Sequence, residues 1–390
     1  MAATAALGRL ACQKNSFLKE LSAKVVSCAR LPKSNEFDVV FDDSVLFPEG
    51  GGQPGDIGTL YRSSDDISIP VTKTFTQDGK CVLRTNRELQ AGDEVLMRVD
   101  WPRRLDHMQQ HSAQHLISAI AKETLNLNTT TWSLGITRCN VEFDSPNVTP
   151  PQIGALESAV NDAIAAARPV TVHYANESSD IRVIVIDGMD QNPCCGTHVE
   201  HLGQLQAVKF LHTEVARGGT RVWFLAGHRV LSEFGVMLER ERAATKLWSC
   251  PPEEHIDRLQ KLLQQQSVAA KELKTTRLEL AGLVASQLVV AAHAAVLHRD
   301  DADAAFLTAI SAAFHAIEAN KDKVLFLTGG SSTSEGCFLL SGPPAFVTSR
   351  GKAVAALLDG KGGGRPGMYQ GKGKNMANVA AAQSLVLDTV

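Results

Sequence analysis

Two pairs of residues in this 390-residue chain carry donor atoms at a spacing that could hold a metal ion. In HSAQH, His111 and His115 stand four positions apart, so on a helix they share one face about one turn apart. In CCGTHVE, Cys194 and His198 repeat the four-residue interval with a thiol and an imidazole, both good zinc ligands. The 79 residues from His115 to Cys194 are too many for a short zinc finger. They suit a site that one domain assembles from two separate elements. Other readings of the second pair stay open: a tight turn with buried thiols, or a strained vicinal redox pair, which a reducing compartment disfavours. His107, four residues before His111, is expected to be a supporting or surface residue, because a fifth ligand would overfill the ion.

The elements that must position these groups can be read from periodicity. RRLDHMQQHSAQHLISAIAKETL has no glycine or proline and reads as a helix beginning after Pro102. Thr149 reads as the N-cap of a second helix, in which Ile153, Leu156, Val160 and Ile164 recur at helical spacing. PVTVHYA, DIRVIVID, LQAVKFL and TRVWFLAG follow as strands. Upstream, residues 20–100 look β-rich: DVVFDDSVLF (38–47) alternates as a strand, PEGGGQPGD (48–56) is a turn, and KCVLRTN and EVLMRVD are further strands. From 231 to about 297 the chain reads as helical. Leu259, Leu263, Gln266, Ala270, Leu273, Arg277, Leu280 and Val284 give a broken 4-3 seam there, compatible with a helical hairpin or a dimeric coiled coil, so monomer and dimer both stay open. The remainder mixes strands (KVLFLTGG, GCFLLSG) and helices (AVAALLDG, ANVAAAQSLV), with KGGGRPGMYQGKGK between the two helices. The expected organisation is an α+β multidomain protein. An N-terminal β-barrel over 1–101 precedes a central zinc-binding α+β domain over 102–250, and a helical linker with a C-terminal α/β module occupies 251–390.

Composition sets limits on function. At 44% hydrophobic and 21% charged residues the chain is ordinary globular, and a net charge of −3 means any nucleic-acid surface must be local. That surface is expected at 350–374, where Arg350, Lys352, Lys361, Arg365, Lys372 and Lys374 face a single acid, Asp359; a solvated loop is the plain alternative. No stretch reaches the ~18 uninterrupted apolar residues of a membrane helix, so no membrane association is expected. Eight cysteines are too dilute for a disulfide framework. The first acid is Glu20, after Arg9, Lys14 and Lys19, a faint presequence character, but composition favours the cytoplasm.

Taken together, the motifs resemble a known family. RRLDHMQQHSAQHLISA and CCGTHVE resemble the HxxxH and CxxxH motifs of the alanyl-tRNA synthetase editing domain, most closely those of its free-standing relatives, the AlaX-type trans-editing proteins. LFPEGGGQPGDIGTL looks like the glycine-rich signature of the β-domain preceding that editing domain, and GKGGGRPGMYQGKG resembles the C-terminal module of the synthetase and the longer AlaX proteins. The likeness runs from about residue 12 to the C-terminus, with the motifs in the family's order.

Carried over by position, the resemblance implies one zinc ion per chain held by His111, His115, Cys194 and His198. Cys195 stands where the family often has glycine, and Ser112 where threonine is frequent; neither change removes a ligand. Gly51, Gly52 and Gln53 would border the editing pocket. Gln114 would face its edge or solvent, while Arg103 and Arg104 would touch the acceptor end of the tRNA. The β-domain begins so early that no synthetase core is expected, so the protein should remove amino acids from tRNA without attaching them. The implied substrate is tRNA(Ala) mischarged chiefly with serine, with glycine as a second candidate. Zinc suits ester hydrolysis by bringing the pKa of water toward ~7 and polarising the carbonyl, and a site built for a hydroxyl can reject alanine by ~10⁴ or more. Four protein ligands ordinarily close a zinc site. Ligand displacement, five-coordination or water activation elsewhere would each reconcile that with catalysis. The competing readings are a tRNA-binding protein with a purely structural zinc and a zinc hydrolase of another acyl ester.

Overall fold

A computed structural model describes residues 4–32, 34–62, 66–174, 181–288, 293–331 and 334–388. It divides into two units, Met1–Ala243 and Ala244–Val390.

The first unit opens with a single helical turn, α1 (Ala11–Lys14), and then a closed six-stranded antiparallel barrel. Its strands are β1 (Glu20–Arg30), β2 (Phe37–Phe41), β3 (Gly58–Arg62), β4 (Ile67–Gln77), β5 (Lys80–Thr85) and β6 (Glu94–Val99), paired in the order β1-β2-β5-β4-β3-β6. Alternate residues such as Ile69, Val71, Val95 and Met97 turn inward to fill it. The strand expected over 38–47 stops at Phe41. Asp42, Asp43 and Ser44 bend the chain by accepting backbone N–H groups with their own side chains. Val45, Leu46 and Phe47 then enter the barrel core without pairing as a strand.

Next comes α2 (Trp101–Leu125), capped by Asp100, whose carboxylate accepts the Arg103 N–H at 3.2 Å, and stopped at Asn126 in the left-handed conformation. Its flanks are β7 (Thr129–Leu134), β8 (Cys139–Phe143), α3 (Pro150–Ala165), β9 (Val170–Tyr174), β10 (Arg182–Ile186), β11 (Asp190–Pro193), β12 (Val208–Ala216), β13 (Gly219–Ala226) and α4 (His228–Trp248). Thr149 stands at the N-cap position of α3, as the sequence predicts, with its backbone N–H donating to the Gln152 side chain at 2.9 Å. The strands form a sheet in the order β12-β13-β8-β7 and a smaller one in the order β11-β10-β9. Every residue of α2 from His107 to Ile117 is buried, so its histidines, glutamines and serine are interior groups that need partners.

In the second unit α5 (His255–Gln287) leads to a five-stranded sheet built from β14 (Ala294–Arg299), β15 (Val324–Gly329), β16 (Gly336–Ser341), β17 (Gly360–Arg365) and β18 (Met368–Gly373). α6 (Ala304–Ala316) lies between β14 and β15 in sequence, α7 (Pro344–Leu357) between β16 and β17, and α8 (Val379–Leu387) closes the chain. The helix expected to reach about 297 ends at Gln287, and Ala294–Arg299 instead pairs in parallel with β15, burying Ala294 and Ala295. Of the proposed seam, Leu259, Leu263, Leu273 and Leu280 are exposed; small residues Ala281 and Ala285 make the closest packing of α5. The glycine-rich stretch, to which the sequence assigns no element and for which a solvated loop is the plain alternative, is a β-hairpin, β17 with β18. Among the described residues, no helix is long and apolar enough to cross a membrane.

Candidate metal centre

The four residues singled out by spacing converge. One donor atom from each of His111, His115, Cys194 and His198 lies within 4.8 Å of every other. The Cys194 Sγ is 3.4 Å from His111 Nε2 and 3.3 Å from His198 Nε2. Zn–N and Zn–S bonds of ~2.0–2.3 Å at tetrahedral angles would separate such donors by roughly 3.5 Å, so the cluster has the size of a zinc site. Burial opposes ionisation of Cys194, but the surrounding imidazoles of His111, His115 and His198 outweigh it and hold the thiol down at about 2. Burial pushes the His111 and His198 rings down, favouring their neutral, ligating forms. Burial also acts against the charged form of His115, yet Asp190 and the Cys194 thiolate raise it to about 9, so metal binding would displace a proton there.

Two of the imidazoles, His111 and His198, have a hydrogen-bond partner on their other nitrogen. The Gln53 Oε1 accepts the Thr197 backbone N–H at 2.9 Å, which identifies that atom as the oxygen. The same oxygen lies 2.9 Å from His111 Nδ1, so Nδ1 carries the proton and Nε2 presents its lone pair to the cluster. Ser112 Oγ sits 3.0 Å from His198 Nδ1 and also accepts the Val199 N–H at 3.2 Å. Asp190 stands 3.9 Å from His115 Nδ1.

The loop bearing Cys194 is fixed by donors from far away in sequence. Arg182 donates to the Cys194 and Gly196 carbonyls and to that of Gln13, whose own amide donates to the Cys195 carbonyl at 3.0 Å. Gly196 must be glycine, since a Cβ there would lie 2.3 Å from the His111 ring. Cys195 stays outside the cluster, with its sulfur against the backbone of Gly51 and burial raising its thiol.

A cavity of about 620 Å³ opens beside the donors, lined by His115, Cys194, Cys195, Gly51, Gly52, Gln114, Ser118, Thr129, Thr130, Thr131, Trp132 and Asn192. Gly51, Gly52 and Gln114 are therefore on its wall. Gln53 is fully buried behind His111 and serves that ring instead of bordering the cavity. Arg104 is no tRNA contact: its guanidinium is buried, paired with Asp56, and donates to the Ser16 and Val45 carbonyls. Arg103 is half-buried and donates to the Gly55 carbonyl at 3.3 Å. His107 is buried outside the cluster, its Nδ1 without a partner among the described residues, and burial brings it down to about 4. Ser118, Thr129, Asp190 and Arg182 were not singled out from sequence; Ser118, one turn beyond Gln114 on the ligand helix, carried the nearest signal.

The six basic residues of 350–374 divide between α7, the strands β17 and β18, and the residue just past β18. Gly351 of α7 packs against the Tyr369 ring, with half-buried Arg350 and exposed Lys352 on either side of it in sequence. Tyr369 and Gly371 face the side where α7 and Phe338 pack, so Lys372, with its cross-strand partner Lys361 and Arg365, lies on the opposite face of the hairpin, exposed, although Met368 on that same face packs against the cluster around α6. Lys374 is exposed just past β18.

Residues 181–222 match the family described as the threonyl and alanyl tRNA synthetase second additional domain, a span that includes Cys194 and His198. The chain is 37% identical to the alanyl-tRNA editing protein Aarsd1 of Rattus norvegicus, with 97% of each chain covered. It is 36% identical to that of Danio rerio over 96% of each, and 24% identical to the alanyl-tRNA editing protein AlaX-L of Pyrococcus horikoshii over 92% of this chain and 93% of the other. With its donor cluster in place and that identity across nearly its whole length, the chain belongs to the alanyl-tRNA editing protein family.

Proposed function

We propose that this protein is a zinc-dependent aminoacyl-tRNA deacylase of the cytoplasm, cleaving the ester that joins serine, and secondarily glycine, to the terminal ribose of tRNA(Ala). The observation that carries the reading is the placement of His115 and Cys194, which belong to the donor cluster and also line the cavity. A purely structural zinc would need no such opening. Relatives that share nearly the whole chain are named for alanyl-tRNA editing.

The donor set fits zinc in chemistry and spacing, and zinc bound there would supply Lewis-acid activation of water and of an ester carbonyl. The protein's own residues do the rest. Gln53 and Ser112 fix the His111 and His198 rings, and the Asp190 carboxylate lies beside His115. Arg182 and Gln13 hold the cysteine loop rigid. The cavity, at about 620 Å³, has room for more than one amino acid, which suits the acylated terminal nucleoside. The exposed Lys361, Arg365, Lys372 and Lys374, with Arg350 and Lys352 on α7, are assigned to tRNA phosphates, and Arg103 to the acceptor end.

Purified protein supplied with seryl-tRNA(Ala) tests this. Release of serine that falls together with metal content in Cys194→Ala, and persists in Cys195→Ala, is the expected result. Zinc-loaded protein that binds the tRNA but releases no serine above buffer would establish the structural-zinc alternative.

A further inference from the structure

A second cavity, of about 530 Å³, lies beside the first and takes no part in the mechanism above. Its lining includes Glu49, Gly52, Pro54, Phe75, Thr76 and Leu134. Two elements run from one cavity into the other. Trp132 of β7 lines the first, and Leu134, on the same side of the strand and about 7 Å farther along, lines the second. Gly52 lines both, so close to the Trp132 ring that a Cβ would meet it at 2.4 Å. The shared rim is therefore a strip of bare backbone at Gly51 and Gly52. Neither of their N–H groups has an acceptor among the described residues, since the turn closes through Gly50 and Gln53.

The second cavity suits a flat heterocycle that carries an amino group. Phe75, half-buried on the outside of the barrel, joins Leu134 and Pro54 in supplying apolar surface. Lys73 Nζ and Arg84 Cζ lie 5.4 and 5.0 Å from the centre of the Phe75 ring; Arg84 is paired with Asp38, which leaves Lys73 as a cation for phosphate. Glu49 and Thr76 are exposed, and neither side chain has a hydrogen-bond partner among the described residues. A carboxylate only accepts hydrogen bonds, whereas a hydroxyl can donate to a ring nitrogen or carbonyl. Cytosine offers the matching groups along one edge, its N4 amino donor followed by the acceptors N3 and O2.

We propose that this second cavity holds the base of the penultimate cytidine of the tRNA, whose acceptor end reads cytidine-cytidine-adenosine, while the acylated adenosine occupies the first. Glu49 accepts from the cytosine amino group, and the phosphate between the two nucleosides crosses the rim at Gly51 and Gly52, where backbone can approach it closely. This rests on the deacylase reading above and adds the nucleotide that threads the substrate into place.

The test measures binding of three non-hydrolysable probes to the zinc-loaded full-length protein. They are the seryl amide of 3′-amino-3′-deoxyadenosine and the same compound extended at its 5′ end by a cytidylyl or a uridylyl residue. Wild type is expected to bind the cytidylyl probe at least about tenfold more tightly than the bare nucleoside. It should bind the uridylyl probe about three- to tenfold less tightly than the cytidylyl one, because uracil O4 would meet the Glu49 carboxylate with no hydrogen to share. Glu49 is exposed, so Glu49→Gln should fold as wild type does, and its amide can pair with either base. That variant should bring the uridylyl probe up to the cytidylyl one and leave the bare nucleoside unchanged. Phe75→Ala should remove most of the gain from either added base, again without effect on the bare nucleoside. No gain from the cytidylyl residue in wild type, an unaltered cytidine-to-uridine ratio in Glu49→Gln, or equal loss of all three probes in Phe75→Ala overturns the subsite. Serine release from seryl-tRNA(Ala) by wild type tells the two levels apart. With release intact, any of those outcomes overturns the subsite alone, while no release overturns the deacylase reading and the subsite with it.

Discussion

Two hexapeptides in this chain are nearly the same: GGGQPG at 50–55 and GGGRPG at 362–367. They fold in opposite ways. In the first, Gly51 and Gly52 take positive φ values of 55° and 74°, and Gly50 bridges back to Gln53 in a tight turn. In the second, the three glycines are extended strand residues in β17, and only Gly367, at the hairpin turn, is left-handed. Glycine permits both courses and dictates neither. What decides is the neighbourhood. Gln53 is drawn into the interior by Thr197 and His111. The later stretch is laid flat by Tyr369, whose hydroxyl donates to the Gly362 carbonyl at 3.0 Å.

The sharpest way to break the comparison is to add one methyl to each. A Cβ on Gly52 would lie 2.4 Å from a carbon of the Trp132 ring, on a backbone already left-handed. Gly52→Ala is expected to cost about 2–4 kcal/mol, combining the conformational penalty with overpacking, and to lower seryl-tRNA(Ala) deacylation at least about a hundredfold by displacing the cavity wall. At Gly363 a Cβ meets nothing within 4 Å. Gly363→Ala should stay within about 0.5 kcal/mol of wild type, with deacylation kept. Urea unfolding and the deacylation rate measure both, and equal effects at the two positions would mean that the hexapeptides are not used differently.

The next effect sorts the side chains that follow the glycines. Gln53→Leu leaves the His111 Nδ1 proton without its acceptor and should weaken zinc binding about ten- to a hundredfold in a chelator competition. Arg365→Gln should leave zinc affinity alone, yet reduce the slope of log affinity for tRNA against log salt by about one. If zinc affinity is insensitive to Gln53, the hydrogen-bonded tautomer of His111 does not matter.

These contrasts also show what was legible beforehand. The four ligands could be found because each pair follows local periodicity: a helical face for His111 and His115, and a short loop for Cys194 and His198. Their supports could not, because Gln53 is 58 residues from His111 and Ser112 is 86 from His198, and polar residues at such separations carry no common pattern. Arg104 shows the opposite failure. A basic residue beside a metal motif reads as a phosphate contact, whereas burial beside Asp56 and two backbone carbonyls makes it part of the interior. The hairpin at 360–373 was invisible for a different reason. Its strands are mostly glycine and charge, so they lack the alternating apolar residues by which strands are recognised, and packing on Tyr369 and Phe338 defines them instead.

The smallest effect concerns the outer face of that hairpin. Lys361 and Lys372 are direct cross-strand partners, and like charges so placed destabilise a sheet by a few tenths of a kcal/mol. Such a pair makes sense where an anion is to be received. Lys361→Gln should therefore move two quantities in opposite directions: stability rises by about 0.2–0.5 kcal/mol, while tRNA affinity at low salt falls a few-fold and its salt slope shrinks by about one. In the first hexapeptide every removal of a polar partner is expected to lower stability or metal affinity, because those groups serve the protein itself. Here a gain in stability accompanied by a loss of binding would mark residues that serve the ligand. Stability and tRNA affinity falling together would instead mean that Lys361 is structural, and that phosphate is met elsewhere on the second unit.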